Sequence, residues 1–208
     1  MTTPESPSPR RPALGAVVIA VSVLGALFAG ALLVVPPAVE PQVWSYPLST
    51  APYVAGQVFV ALHHLVLAAG LFVAWRIGLA GRTRLAAIGG VSSSIAMALF
   101  AGIELLSAGA ADQVGSTELV SLLGSLYGGG TAVLAITSII FGIAILRAHA
   151  WTGLTRVTVL VSGIYLFVPM IPAQFDPLFW GRVAVGVWSL LYIGLGIGLR
   201  RGAATPQP

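Results

Sequence analysis

YVAGQVFVALHHLVLAAGLFVAW, residues 53–75, contains no Asp, Glu, Lys or Arg. At 1.5 Å per helical residue it covers about 35 Å, enough to cross the roughly 30 Å hydrocarbon layer of a bilayer. Lipid offers exposed backbone no hydrogen-bond partner, so a segment that crosses it is helical. Five comparable runs flank it, which predicts an all-α, polytopic membrane protein: a bundle of six transmembrane helices. The spans fall at about 13–35, 53–75, 85–108, 118–146, 154–171 and 179–199. Pro36 and Pro37 end the first, and Pro169 and Pro172 close the fifth, because proline cannot donate to the helical ladder. The six-helix domain therefore covers residues 13–201, between a Pro/Ser/Thr-rich tail at 1–12, read as disordered, and a short tail at 202–208.

Composition agrees. The chain is 57% hydrophobic and 8% charged, against roughly 25% charged in soluble domains. Every Lys/Arg position is Arg, and the formal net charge is +4. These arginines lie between the apolar runs, where anionic lipid accounts for them, so no nucleic-acid partner is expected. Arg10, Arg11, Arg76, Arg82, Arg84, Arg147, Arg156, Arg200 and Arg201 share one side. Arg182 stands on the other with Glu40, Asp112, Glu118 and Asp176. The positive-inside rule then places both termini in the cytoplasm (N-in/C-in) of a plasma-membrane, multi-pass protein. The first run is longer than a signal-peptide core and lacks a small-residue cleavage site, so it is read as a retained span.

Helices in lipid associate through small residues that let backbones approach. Gly90, Ser94, Ala98 and Gly102 recur at four-residue spacing in the third span, and Gly124, Gly128 and Ala132 in the fourth. Gly186, Gly194 and Gly198 mark the sixth. Packing within the bundle is the expected use of these faces, ahead of a seam for a homo-oligomer or a protein partner. Gly128-Gly129-Gly130 is expected at a kink or tight crossing.

Polar groups are expensive inside a bilayer, so those present are functional suspects. Tyr53, Gln57, Ala61, His64 and Ala68 form one helical stripe, with His64 near mid-membrane and His63 about 100° away. Glu104 sits near the outer end of the third span, at a depth that suggests a pair with Arg182. Glu118, Ser121 and Ser125 make a stripe on the fourth span; the plainer account of Glu118 is a carboxylate favoured by the helix N-terminus. The candidate site is an outward-facing polar pocket of Gln57, His64, Glu104, Tyr127 and Arg182.

Several chemistries are disfavoured. With no cysteine there is no disulfide, thiolate metal site or Cys nucleophile, and with no lysine there is no Schiff base. His149, the histidine outside the second span, falls in a loop, which leaves a bis-His haem without its second axial ligand. HExxH, GxSxG and phosphate-loop motifs are absent. No catalytic residue, metal or cofactor is expected.

WSYPLSTAPYVAGQVFVALHHLVLAAGL, IELLSAGAAD, YGGG at Tyr127–Gly130, RAHAWTGLTR and PMIPAQFDPLFWGRVAVGVWSLLYIGLG resemble small, uncharacterised multi-pass integral membrane proteins of actinobacterial type. The resemblance covers most of the chain after residue 40. It implies a protein of a bacterial plasma membrane and carries no activity. The residues themselves favour proton-linked or small-molecule binding or transport through the outer pocket. The alternative is a non-catalytic membrane subunit that docks a partner protein through its small-residue faces. A membrane-embedded enzyme ranks third.

Overall fold

The structure, a computed structural model, describes residues 10–115, 117–174 and 177–202, with backbone only at 10–12 and 177–178. It is built from helices: α1 (Arg10–Ala31), α2 (Thr50–Arg76), α3 (Arg84–Ala108), α4 (Glu118–Ala148), α5 (Thr158–Tyr165), α6 (Ile171–Ala173) and α7 (Arg182–Arg201). Five stretches are long and apolar enough to cross a membrane: Ala13–Ala31, Thr50–Arg76, Arg84–Ala108, Glu118–Ala148 and Phe179–Arg201. These are the mark of a multi-pass membrane protein. Pro52 sits in the first turn of α2, where a missing N–H costs nothing.

The expected fifth span is the one that differs. Gly153–Arg156 forms a 3-10 turn rather than the start of a membrane helix. Arg156 donates to the Leu146 carbonyl (2.7 Å) and Thr155 to that of Thr152 (2.8 Å), which ties this turn to the end of α4. The apolar helix begins only at Thr158 and reaches Ala173. That is about 24 Å at helical rise, short of a roughly 30 Å core. Leu166–Met170 within it is a π-segment containing Pro169, whose ring and missing N–H prevent a regular turn. A second π-turn, Pro177–Gly181, leads into α7.

The helices close into a ring in the order α1, α2, α3, α4, α5, α7, with α1 packed most extensively on α7. Backbones meet where glycine allows it. A Cβ on Gly89 would lie 2.5 Å from the Phe141 nitrogen, and one on Gly15 would lie 2.6 Å from the Gly196 carbonyl. Leu67, Leu71, Met97, Phe141, Tyr192 and Leu195 fill the interior. Leu27, Leu62, Ile88 and Leu99 project outward, each more than half exposed. In water such a surface would aggregate; in lipid it is solvated.

One end of the bundle carries the connections 77–83 and 149–157 and the arginines 76, 82, 84, 147, 156, 200 and 201. The opposite, arginine-poor end carries two interlocked loops. Trp44 and Ser45 donate backbone N–H groups to Gln113 (2.9 Å) and Ala111 (3.2 Å), and Gly115 donates to Gln42 (3.2 Å). Val43 and Val114 form an antiparallel bridge there, and Thr50 bonds Asp112. These loops cover the arginine-poor end of α2 and α3.

Candidate functional site

Glu104 organises the site. It lies four residues before the end of α3 and is 7% exposed. Tyr127, from the third turn of α4, donates its hydroxyl to Glu104 Oε2 at 2.6 Å, the short length typical of a bond to a carboxylate. Oε1 faces His64 Nδ1 of α2 at 3.8 Å. That gap is too long for a hydrogen bond and short enough for a strong ionic attraction whenever the imidazole carries its proton. His64 Nδ1 is buried and has no side-chain hydrogen bond. Phe100 closes the group, its ring 5.5 Å from His64 and 6.3 Å from Tyr127.

A second knot lies one turn nearer the loops. Ser107, three residues after Glu104 and fully buried, meets three side chains. Trp44 Nε1 donates to it (2.8 Å), Tyr53 pairs with it (2.7 Å), and Gln57 Nε2 donates over 3.4 Å. A hydroxyl has two lone pairs and one proton. The indole and the amide donate to Ser107, and in its bond with Tyr53 either hydroxyl can be the donor. The Tyr127 hydroxyl also interacts with Ser107 and Tyr53, so both knots form one network across α2, α3, α4 and the 43–47 loop.

Four of the five expected pocket residues thus come together: Gln57, His64, Glu104 and Tyr127. Arg182 does not join them. Its guanidinium donates to the carbonyls of Leu32 (2.7 Å) and Tyr46 (3.2 Å) and lies 5.7 Å from the Tyr46 ring centre. The expected Glu104–Arg182 pair is therefore replaced by Glu104–Tyr127. Free carbonyls at the end of α1 and in its loop are the closer acceptors for the cation. Glu118, Ser121 and Ser125 are exposed; Ser125 spends its proton on the Ser121 carbonyl (3.1 Å). Asp176 lies outside the described residues.

Nor is the site the open pocket expected. Trp44 and its loop cover it, and its side chains fill it. A surface groove of about 510 Å³ lies beside it between α3 and α4. Its lining is apolar and includes Leu99, Phe100, Gly102, Ile103, Leu126 and Gly129. Gly102, Gly124, Gly128 and Gly129 meet nothing within 4 Å, so these small residues do not pack within the bundle. α4 runs unbroken through Gly128–Gly130. Of the three, only Gly130 is at a crossing: a Cβ there would lie 3.2 Å from the Phe100 ring.

Both histidines point inward, to different neighbours. His63 Nε2 is buried and unpartnered; a Cβ on Gly25 of α1 would lie 2.9 Å from it and 3.2 Å from Ser189 Oγ of α7. Sequence reading missed Ser107 and Trp44. The signal for Ser107 was its place one turn beyond Glu104, on the same helix face. Trp44 reaches the site only through loop pairing, which leaves no periodic trace.

No known protein family, curated protein or solved structure matches this chain. Fold and site together define a class: an all-helical, multi-pass membrane protein with a buried carboxyl–imidazole–phenol cluster between three of its long helices.

Proposed function

We propose that this protein spans a bacterial plasma membrane six times, with both termini in the cytoplasm. In this reading it takes up protons, or a small protonatable molecule, from the outer side at the Glu104–His64–Tyr127 cluster. The shorter helix Thr158–Ala173 serves as the fifth crossing by pairing its 24 Å with locally thinned lipid. The gathering of arginines at one end supports the orientation. The chain has no cysteine, so single cysteines placed at Gln42 and Gly202 report the two ends cleanly. Labelling of Gln42→Cys from outside intact cells, and not of Gly202→Cys, is the expected result.

One observation carries the functional reading: a buried imidazole nitrogen, without a side-chain hydrogen bond, 3.8 Å from a carboxyl oxygen. Apolar replacement of such a pair would serve stability as well or better. Its cost is explained if the gap between imidazole and carboxyl is bridged when a proton or a donor group arrives. Infrared difference spectra of the protein in lipid nanodiscs, recorded against pH, test this. A carboxylic C=O band is expected that responds reversibly to pH, vanishes in Glu104→Gln and moves its midpoint in His64→Ala. A band that ignores pH, or ignores His64→Ala, would sink the reading.

The open glycines favour a second reading, docking of a partner helix in the α3–α4 groove. It requires a defined complex on gentle extraction, dissolved by Gly102→Leu and Gly129→Leu, which line that groove, and tolerant of His64→Ala.

A further inference from the structure

The buried serines among the described residues satisfy their hydroxyls differently, and Ser45 in the loop, like two on the helices, has no partner. Ser22, Ser94 and Ser189 donate to the carbonyl four residues back, at 2.7, 2.6 and 3.0 Å, the ordinary way for a helical serine to hide its proton in an apolar surrounding. Ser138 of α4 and Ser162 of α5 do not. They are 0% and 1% exposed and neither hydroxyl has a partner. Both interact with the hydroxyl of Tyr192 on α7, which is 1% exposed, without reaching full hydrogen-bond geometry. One turn back on α7 is Trp188, whose buried Nε1 is unpartnered too. Its ring centre lies 5.1 Å from that of Tyr192 and 6.1 Å from that of His64.

These groups form a column through the bundle. Glu104 lies four residues from the arginine-poor end of α3, and Ser162 four residues from the arginine-rich start of α5. Between them stand His64, Trp188 and Tyr192. Leaving a buried donor unpaired costs about 1–3 kcal/mol, so three buried hydroxyls that lie toward one another without reaching full hydrogen-bond geometry are a poor structural solution. A buried water with two to four polar neighbours removes that cost, and three hydroxyls from three helices supply them.

Building on the outer cluster proposed above, we propose that Ser138, Ser162 and Tyr192 form a second polar site, which holds water and passes protons between the Glu104–His64 cluster and the arginine-rich end. Each hop moves one proton along a hydrogen bond: one O–H or N–H bond breaks, one forms, and the same number of protons leaves as enters. No oxidant or reductant is involved. The titratable groups along the route are Glu104, Tyr127, His63, His64 and Tyr192, from α3, α4, α2 and α7; α5 contributes the hydroxyl of Ser162. Trp188 has no acceptor to relay through, so it forms the neck beside which water must pass.

Vesicles reconstituted with the full-length protein, carrying an internal pH dye and a valinomycin-clamped potassium gradient, give the test. Wild type is expected to conduct protons above protein-free vesicles. Tyr192→Phe removes one oxygen and leaves the ring in place. It should lower the flux by roughly tenfold, the effect of about 1.4 kcal/mol on the barrier. Ser138→Ala and Ser162→Ala, made singly, should act in the same direction, while the Glu104 infrared band still titrates in all three. Wild-type flux that these variants leave unchanged overturns the second site and spares the outer one. A titrating Glu104 without any wild-type flux does the same. If the Glu104 band never responds to pH, the outer reading falls and the route falls with it. If the variants do not fold, the wild-type measurement still decides whether a through-route exists.

Discussion

α4 meets its neighbours in two different ways along its length. Toward the arginine-rich end it is clamped backbone to backbone. A Cβ on Gly163 of α5 would lie 2.8 Å from the Ile139 nitrogen and 2.9 Å from the Ala135 carbonyl, and Gly89 of α3 presses on Phe141. Toward the arginine-poor end, α3 and α4 stand apart along a groove, with Gly102, Gly124, Gly128 and Gly129 facing open space. There the two helices are joined by Phe100 against Gly130 and by the Tyr127–Glu104 hydrogen bond. One half is held by van der Waals contact that tolerates no added atom. The other is held by a polar latch beside a space that could take one. The contrast teaches that glycine spacing reports permission to approach, not approach itself.

Substitution can break this comparison. Gly163→Leu should have the largest effect, a loss of about 3 kcal/mol, because both obstructing groups are backbone and cannot rotate away. Thermal melting in detergent reads it, and Gly128→Leu is the control. Equal losses in the two variants would end the distinction between a clamped half and an open one.

The latch comes next. Glu104→Ala strands the Tyr127 hydroxyl and should lower stability by about 1–3 kcal/mol. Glu104→Gln keeps an acceptor for Tyr127 and should cost less. A double-mutant cycle of Glu104→Ala with Tyr127→Phe should show coupling of about 1 kcal/mol. Zero coupling would mean that the hydrogen bond does not join the helices. Arg182→Gln should cost about 1 kcal/mol through the Leu32 and Tyr46 carbonyls. Combined with Glu104→Gln, it should be additive to within about 0.5 kcal/mol, since the two share no partner. The smallest effect belongs to Gly124→Ala and Gly128→Ala. With no steric penalty, each should raise the melting temperature slightly, by up to about 1 kcal/mol of helix propensity. A clear loss in either would place a partner or a second copy on that open face of α4.

Residue types explain which expectations held. Apolar runs bounded by Arg or Pro marked the five long helices to within a few residues; the structure adds caps at Thr83 and Thr117, whose hydroxyls accept from the Ala86 and Val120 N–H groups. The fifth run read as continuous because its composition is uniformly apolar. Its 3-10 start arises from Arg156 and Thr155 bonding backwards, contacts that composition does not encode. Glu104, His64, Gln57 and Tyr127 stood out as polar groups in apolar stretches, and they do converge. Arg182 was misassigned because equal depth is a weak constraint: a ring of helices holds many positions at one depth, and the nearest free carbonyls took the cation.

What the sequence determined alone is the set of long helices and which loop arginines share an end. Solvation by lipid or water acts on each segment separately, so its outcome can be summed residue by residue. What only the tertiary structure decided is the rotation of each helix about its axis. It sets Ser107 as a hub, His63 toward α1, His64 toward Glu104, Tyr192 toward Ser138 and Ser162, and Gly102 and Gly129 toward a groove. In a soluble protein the contrast between apolar core and water would have announced those rotations. Here the surface is as apolar as the core, with Leu62 outside and Leu67 inside the same helix. Only close packing and a few polar contacts distinguish the two faces.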